Sequence, residues 1–323
     1  MFIAVITTAL IFDFLNGFHD SSNIVATPIA SRALNPRLTL ILAAIAHFVG
    51  PFLFGVEVAK TVGEGLLLPD TIDQQVILAA LVSAVIWNLL TWFLGMPSSS
   101  SHALIGGLLG AAIVSCGVEV VQAPGLIKIM LALFIAPPLG FLIGFIFMRV
   151  TLWSVRSATP KVNVFFRRIQ IATLIGLALG HGANDAQKTM GIITLALMTG
   201  GYLNTFDVPW WVITISATAI ALGTSLGGWR LIRTLGGKIF RIRPIHGFSS
   251  QLAGAGVILG AALLGGPVST TQVMGSAITG VGAAERLSKV RWNVARDMLI
   301  AWLVTIPATA ILAALLYLGL RLL

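Results

Sequence analysis

Cysteine is almost absent. Cys116 is the only one in 323 residues, which excludes an internal disulfide framework and a thiolate metal site. Charge is also scarce: Asp, Glu, Lys and Arg make up 10% of the chain, against about 25% in an ordinary soluble domain. A soluble fold of this length would have too little polar surface to show to water. No cleavable leader is expected either. The first apolar stretch starts at Met1 without a basic preface and runs into a polar motif instead of a small-residue cleavage site.

What the chain does have is apolar length. Hydrophobic residues reach 57%, and the mean hydropathy is +0.97. Stretches of roughly 20 apolar residues, enough to cross a bilayer, recur along it. They fall at about 2–31, 38–59, 74–96, 98–116 and 125–150, then at about 168–200, 208–229, 248–265, 268–284 and 294–322. Backbone at that depth must satisfy its own hydrogen bonds, so it forms helices or a closed barrel. The stretches lack the alternation of barrel strands. Helices are therefore predicted, about ten of them, in an all-α polytopic membrane protein.

The net charge of +9 invites a nucleic-acid reading, but its placement argues against one. Basic residues gather after the first stretch (Arg32, Arg37), in the central linker (Arg149, Arg156, Lys161, Arg167, Arg168), after the seventh (Arg230 to Arg243) and after the ninth (Arg286 to Arg296). Basic loops face the cytoplasm, so both termini are expected outside.

The halves also resemble each other. Asn16-Gly-Phe-His-Asp-Ser-Ser-Asn23 parallels His181-Gly-Ala-Asn-Asp-Ala-Gln-Lys188, with Asp185 lying 165 positions after Asp20. Gly95-Met-Pro-Ser-Ser-Ser-Ser-His102 parallels Gly265-Gly-Pro-Val-Ser-Thr-Thr-Gln272, offset by 170. An odd number of stretches per half turns the second copy upside down, so residues 1–160 and 161–323 are read as two inverted repeats. Paired polar interruptions in such repeats point to a transporter's midplane site. The segments flanking Pro97 and Pro267 either cross fully or fold back as re-entrant hairpins. Their Ser and Thr tips carry no basic anchor, which favours hairpins.

Ionisable groups inside apolar stretches are costly and usually functional. Asp13, Asp20 and Asp185 are the main acids, accompanied by His19, His47, His102, His181 and Lys188. The polar runs around Asp20, where Gly17 permits a break, and around Asp185 with Asn184 and Lys188, predict broken helices whose free carbonyls and N–H groups would hold a cation and an anion. Ser98–Ser101 and Ser269–Thr271 follow prolines and open Gly-rich helices, an arrangement suited to a tetrahedral oxyanion. Ordinary N-capping explains one such cluster, but two make the binding reading stronger. Asp13 fits a satisfied polar contact as well as it fits a cation ligand. Small-xxx-small spacings such as Gly106/Gly110 and Gly140/Gly144 read as close helix contacts.

These motifs resemble the paired signatures of the inorganic phosphate transporter (PiT) family, most closely its bacterial low-affinity permeases, over nearly the whole chain. The resemblance implies symport of inorganic phosphate with protons or sodium in the inner membrane by a homodimer, with no organic cofactor, no nucleic-acid partner and no enzymatic activity. It implies that Asp20, Asn23, Asp185 and Lys188 line the anion and cation sites, and that Ser99, Ser100, Ser101, Ser269, Thr270 and Thr271 wrap the phosphate. The cation would be coupled through Asp20, Asn16, Asn184, Asp185 and His47, with sodium at Asp20 and Asp185 as one option. Sodium-coupled eukaryotic members carry glutamates where His47 and Gln251 stand here, so a titrating His47 favours protons. A sulfate permease of the same family is the alternative. An intramembrane serine hydrolase using Ser101 and His102 is disfavoured, because adjacent helical side chains point about 100° apart.

Overall fold

The computed structural model describes residues 1–322, apart from the side chain of Asp70. Twelve α-helices account for most of it: α1 (Phe2–Ala30), α2 (Pro36–Leu53), α3 (Glu57–Gly63), α4 (Gln74–Leu94), α5 (Ser100–Cys116), α6 (Ala123–Ser154), α7 (Val162–Thr199), α8 (Trp210–Leu226), α9 (Trp229–Arg233), α10 (Pro244–Leu263), α11 (Thr270–Glu285) and α12 (Trp292–Leu320). Among the described residues no strand occurs, only an isolated bridge between Leu67 and Val121. Six helices are long and apolar enough to cross a membrane, or seven if α8 and the segment after it, bent by 59°, count as one. Their outer faces are bare of polar cover: Leu131, Phe134, Ile135 and Leu142 of α6 and Leu303, Ile311 and Leu315 of α12 are all exposed. An apolar surface that continuous belongs against lipid.

The predicted stretches are there, with three differences. The 38–59 stretch divides into α2 and α3. Most of the central linker is helical, since α6 runs on to Ser154 and α7 already begins at Val162. The third difference concerns the polar runs. α1 and α7 pass through Asn16–Asn23 and His181–Lys188 as continuous helices, so no unwound backbone is present there. The glycines serve packing instead: a Cβ on Gly17 would lie 2.1 Å from the Ile220 carbonyl oxygen of α8, and one on Gly182 would lie 2.5 Å from that of His47 in α2. Ser21 and Ser22 return their hydroxyls to the carbonyls of Phe18 and His19 at 2.8 and 3.1 Å, which keeps the polar run inside the helix.

The real interruptions are the two hairpin turns. α4 ends at Gly95 (φ 67°) and α10 runs into Gly265 (φ 68°), equivalent positions where the left-handed backbone favours glycine. After each, a proline breaks the helix, and Ser99 or Ser269 caps the next one by accepting from the amide of His102 or Gln272. Both tips, Pro97–Ser101 and Gly266–Thr271, are buried inside the protein. The hairpins thus end in the interior instead of reaching a surface.

Packing follows matched pairs. α1 packs on α8 as α7 packs on α2, and α5 packs on α12 as α6 packs on α11. The small-residue stripes make the last two possible. Gly106 and Gly110 let α5 touch the backbone of Ile306 and Ala310, and Gly140 and Gly144 let α6 touch that of Val273 and Ala277. Two apolar clusters result. One takes Val5, Ala9 and Phe12 from α1 with Met190 and Ile193 from α7. The other takes Ile24, Val25 and Ala26 from α1 with Leu174 and Leu177 from α7. The polar runs lie between them, with the hairpin tips pressed in from either side.

Candidate functional site

Asp20 and Asp185 come from opposite halves and are 2% and 1% exposed. With His181 they bring ligand atoms within 4.8 Å of one another. Asp20 is held by neutral donors. Its Oδ1 accepts from Thr271 Oγ1 at 2.8 Å and lies 3.0 Å from His19 Nδ1, while its Oδ2 accepts from Ser100 Oγ at 2.9 Å. Ser100 Oγ also lies 2.6 Å from Asn16 Oδ1. Asp185 is held by a cation: Lys188 Nζ pairs with its Oδ1, while Thr270 Oγ1 and His181 Nδ1 each lie 3.0 Å from its Oδ2.

The hairpins are threaded between these helices by crossed contacts. Asn23 of α1 donates to Thr271 at 3.0 Å, and Lys188 of α7 donates to Ser101 at 2.6 Å. Lys188 also donates to the Val268 carbonyl at 2.9 Å, and Ser101 Oγ to the same oxygen at 3.1 Å. Asn184 Nδ2 reaches the Gly266 carbonyl at 3.0 Å, and Gln272 Nε2 lies 3.1 Å from His102 Nδ1. In helices capped in this way, the amides of the first residues, Ser100 and Ser101 or Thr270 and Thr271, have no intrahelical acceptor. Two helix starts, four such amides, four hydroxyls and one ammonium therefore meet at one buried place. Helix starts and an ammonium favour an oxyanion, while the carboxylates with Asn16 and His181 offer hard donors to a cation.

Every predicted anion-site residue joins this cluster, with Ser99 and Ser269 acting as caps rather than as lining. His47 does not reach Asp20 directly. Its Nδ1 lies 2.7 Å from Thr224 Oγ1, and its ring lies 4.9 Å from that of His181. That places it behind His181, on the Asp185 side. Gln251 accepts from Thr173 at 2.7 Å, outside the cluster. His181 was undervalued in sequence. Its position four residues before Asp185 on one helix is the signal that marks it. The hydrolase reading loses its geometry, since His102 pairs with Gln272 while Ser101 turns to Lys188 and Val268. A Gly-x-Ser-x-Gly spacing does occur at Gly223–Gly227, but it lies in the last turn of α8, where exposed Ser225 returns its hydroxyl to Leu222.

The profile of the phosphate transporter family matches residues 16–313, which takes in both polar runs and both hairpins. The chain belongs to that family. It is 48% identical over 319 residues to a probable low-affinity inorganic phosphate transporter of Bacillus subtilis, covering 98% of this chain and 96% of the relative. The relative of that name in Rhizobium meliloti is 44% identical at the same coverage. One from Mycobacterium tuberculosis is 43% identical, with 98% and 77% covered. Among solved structures, the sodium-dependent phosphate transporter superposes with a TM-score of 0.89 at 25% identity, covering 100% of this chain and 99% of the other. Members of the phosphate transporter family are carriers, not enzymes, and this one is an integral membrane protein.

Proposed function

We propose that the protein is a cation-coupled symporter of inorganic phosphate in the cell (inner) membrane. The observation that carries this reading is the meeting of two capped helix starts with Lys188 between two carboxylates from opposite halves. Phosphate would displace Lys188 from Val268 and Ser101 and take the ammonium, the free amides of α5 and α11 and the hydroxyls of Ser100, Ser101, Thr270 and Thr271. The cation would sit at Asp20 and Asp185 with Asn16, Asn184 and His181 close by. Near neutral pH phosphate keeps a proton that a carboxylate can accept, whereas sulfate accepts only. The carboxylate-rich site therefore favours phosphate, and the named relatives lend sulfate no support.

The likeness to a sodium-dependent carrier favours sodium as the coupling ion, and His47, facing Thr224 and His181 rather than Asp20, carries less of a proton-coupling argument than its sequence position offered. The matched packing of the halves supports inverted repeats at 1–160 and 161–323, with alternating access as one half rocks against the other. Both termini are proposed to face outside and the protein to form a homodimer. The test is uptake of labelled phosphate and sulfate by reconstituted vesicles under imposed sodium or pH gradients. Phosphate uptake driven by inward sodium is expected. Equal sulfate uptake, or uptake indifferent to every cation gradient, would overturn the proposal.

A further inference from the structure

Asp13 lies two turns before Asp20 on α1 and is fully buried. Neither of its carboxylate oxygens has a hydrogen-bond donor in the protein. Its surroundings are the apolar cluster of Ala9, Phe12, Ala186, Met190 and Ile193. A bare carboxylate there carries a desolvation cost that natural folds offset with a partner. The charged groups nearby do not supply one. α4 and α8, which pack on α1, contain no charged residue and no histidine. On α7, Asp185 has the wrong sign, and all three donors of Lys188 are committed to Asp185, Ser101 and Val268.

Two hydroxyls near Asp13 share its condition. Thr189 of α7 faces Asp13, and its Oγ1 is buried without a partner. Ser216 of α8 is likewise buried and unpartnered. α1 and α8 run parallel, with Gly17 against Ile220, Phe18 against Gly223 and Ser21 bonded to Gly228. Asp13 and Ser216 each stand one turn before Gly17 and Ile220 on those contact faces, so they lie at the same level. Three buried oxygen side chains from three helices thus stand at one level, none with a hydrogen-bond partner within 3.5 Å. That is the donor set of a hard cation. A single carboxylate balances one positive charge and no more, which selects a monovalent ion.

We propose that Asp13, Thr189 and Ser216 form a second cation site, separate from Asp20 and Asp185, that binds sodium during transport. The proposal rests on the symport reading, so its test measures sodium binding to the purified protein without phosphate. The parent chain should bind one more labelled sodium ion than Asp13→Asn. Asp20→Asn should keep the Asp13 ion while losing phosphate uptake. Ser216→Ala and Thr189→Val should weaken that ion's binding by roughly threefold each, as expected for losing one neutral ligand. Melting curves in sodium and choline chloride check folding and add a second readout, because sodium should raise the parent's Tm more than that of Asp13→Asn. If Asp13→Asn does not fold, the two hydroxyl variants decide. Unchanged sodium stoichiometry in Asp13→Asn, or unchanged affinity in both hydroxyl variants, would overturn the site.

Discussion

Asp20 and Asp185 occupy equivalent places in the two halves, yet their surroundings differ at several positions, and one of these differences places an ammonium beside only one of them. Three residues after Asp20 stands Asn23, and three after Asp185 stands Lys188. Each makes the corresponding contact with the opposite hairpin, Asn23 with Thr271 and Lys188 with Ser101. The first carboxylate is therefore held by hydroxyls and an imidazole, with no ammonium beside it. The second is neutralised by an ammonium that can turn to an incoming anion. On the proposed function, the Asp20 side would seek the cation and the Lys188 side the anion. The lesson is that repeat symmetry supplies the geometry, and departures from it divide the labour.

The strongest way to break this comparison is to remove each carboxylate. Asp185→Asn leaves Lys188 buried without its counter-charge, which costs about 3–5 kcal/mol in comparable pairs. Loss of folded protein and of uptake is expected, with a clear fall in Tm. Asp20→Asn faces only neutral partners and should fold nearly as well as the parent, yet transport little. The Asp185→Asn, Lys188→Asn double variant should recover stability without recovering uptake. Similar melting behaviour for the two single Asn variants would refute the proposed asymmetry.

A smaller effect should come from making the halves more alike. Lys188→Asn gives the second site the residue that the first has at that place, Asn23. Hydrogen bonds to charged groups contribute about 1.5–3 kcal/mol each, so the apparent KM for phosphate should rise by one to two orders of magnitude. Cation dependence should change less, because Asp20 is untouched. If KM stays within about twofold of the parent's, the ammonium is not the anion's partner and the hairpin amides hold it alone.

The smallest effect on activity belongs to the surface. Single cysteines at exposed Ser157 and Arg243, in a Cys116→Ser background, should leave uptake near the parental level. In intact cells they should resist impermeant thiol reagents added outside. Labelling of both from outside would reverse the proposed orientation and remove the charge-placement argument with it.

Much of this was legible before any tertiary structure. Apolar length and missing charge dictated a helical membrane protein, because backbone in lipid must close its own hydrogen bonds. The doubled motifs named the buried polar residues that the fold brings together, because polar groups in apolar stretches are too costly to keep without a partner or a use. What a one-dimensional pattern could not decide was contact across distance. Gly17 read as permitting a break, since glycine loosens an isolated helix, but α8 presses on it and α1 stays continuous, as α7 does through the matching run. His47 read as a titrating group for proton coupling, yet the packing of α2 on α7 and α8 turned it to His181 and Thr224, away from Asp20. Asp13 fitted two roles equally well until the fold showed that no donor reaches it. Sequence by itself determined which groups are buried. Tertiary structure alone decided which helices and hairpins meet, because hydrogen bonds act over about 3 Å while the hairpin contacts of Asp20 and Asp185 join residues 80 to 251 positions apart in the chain.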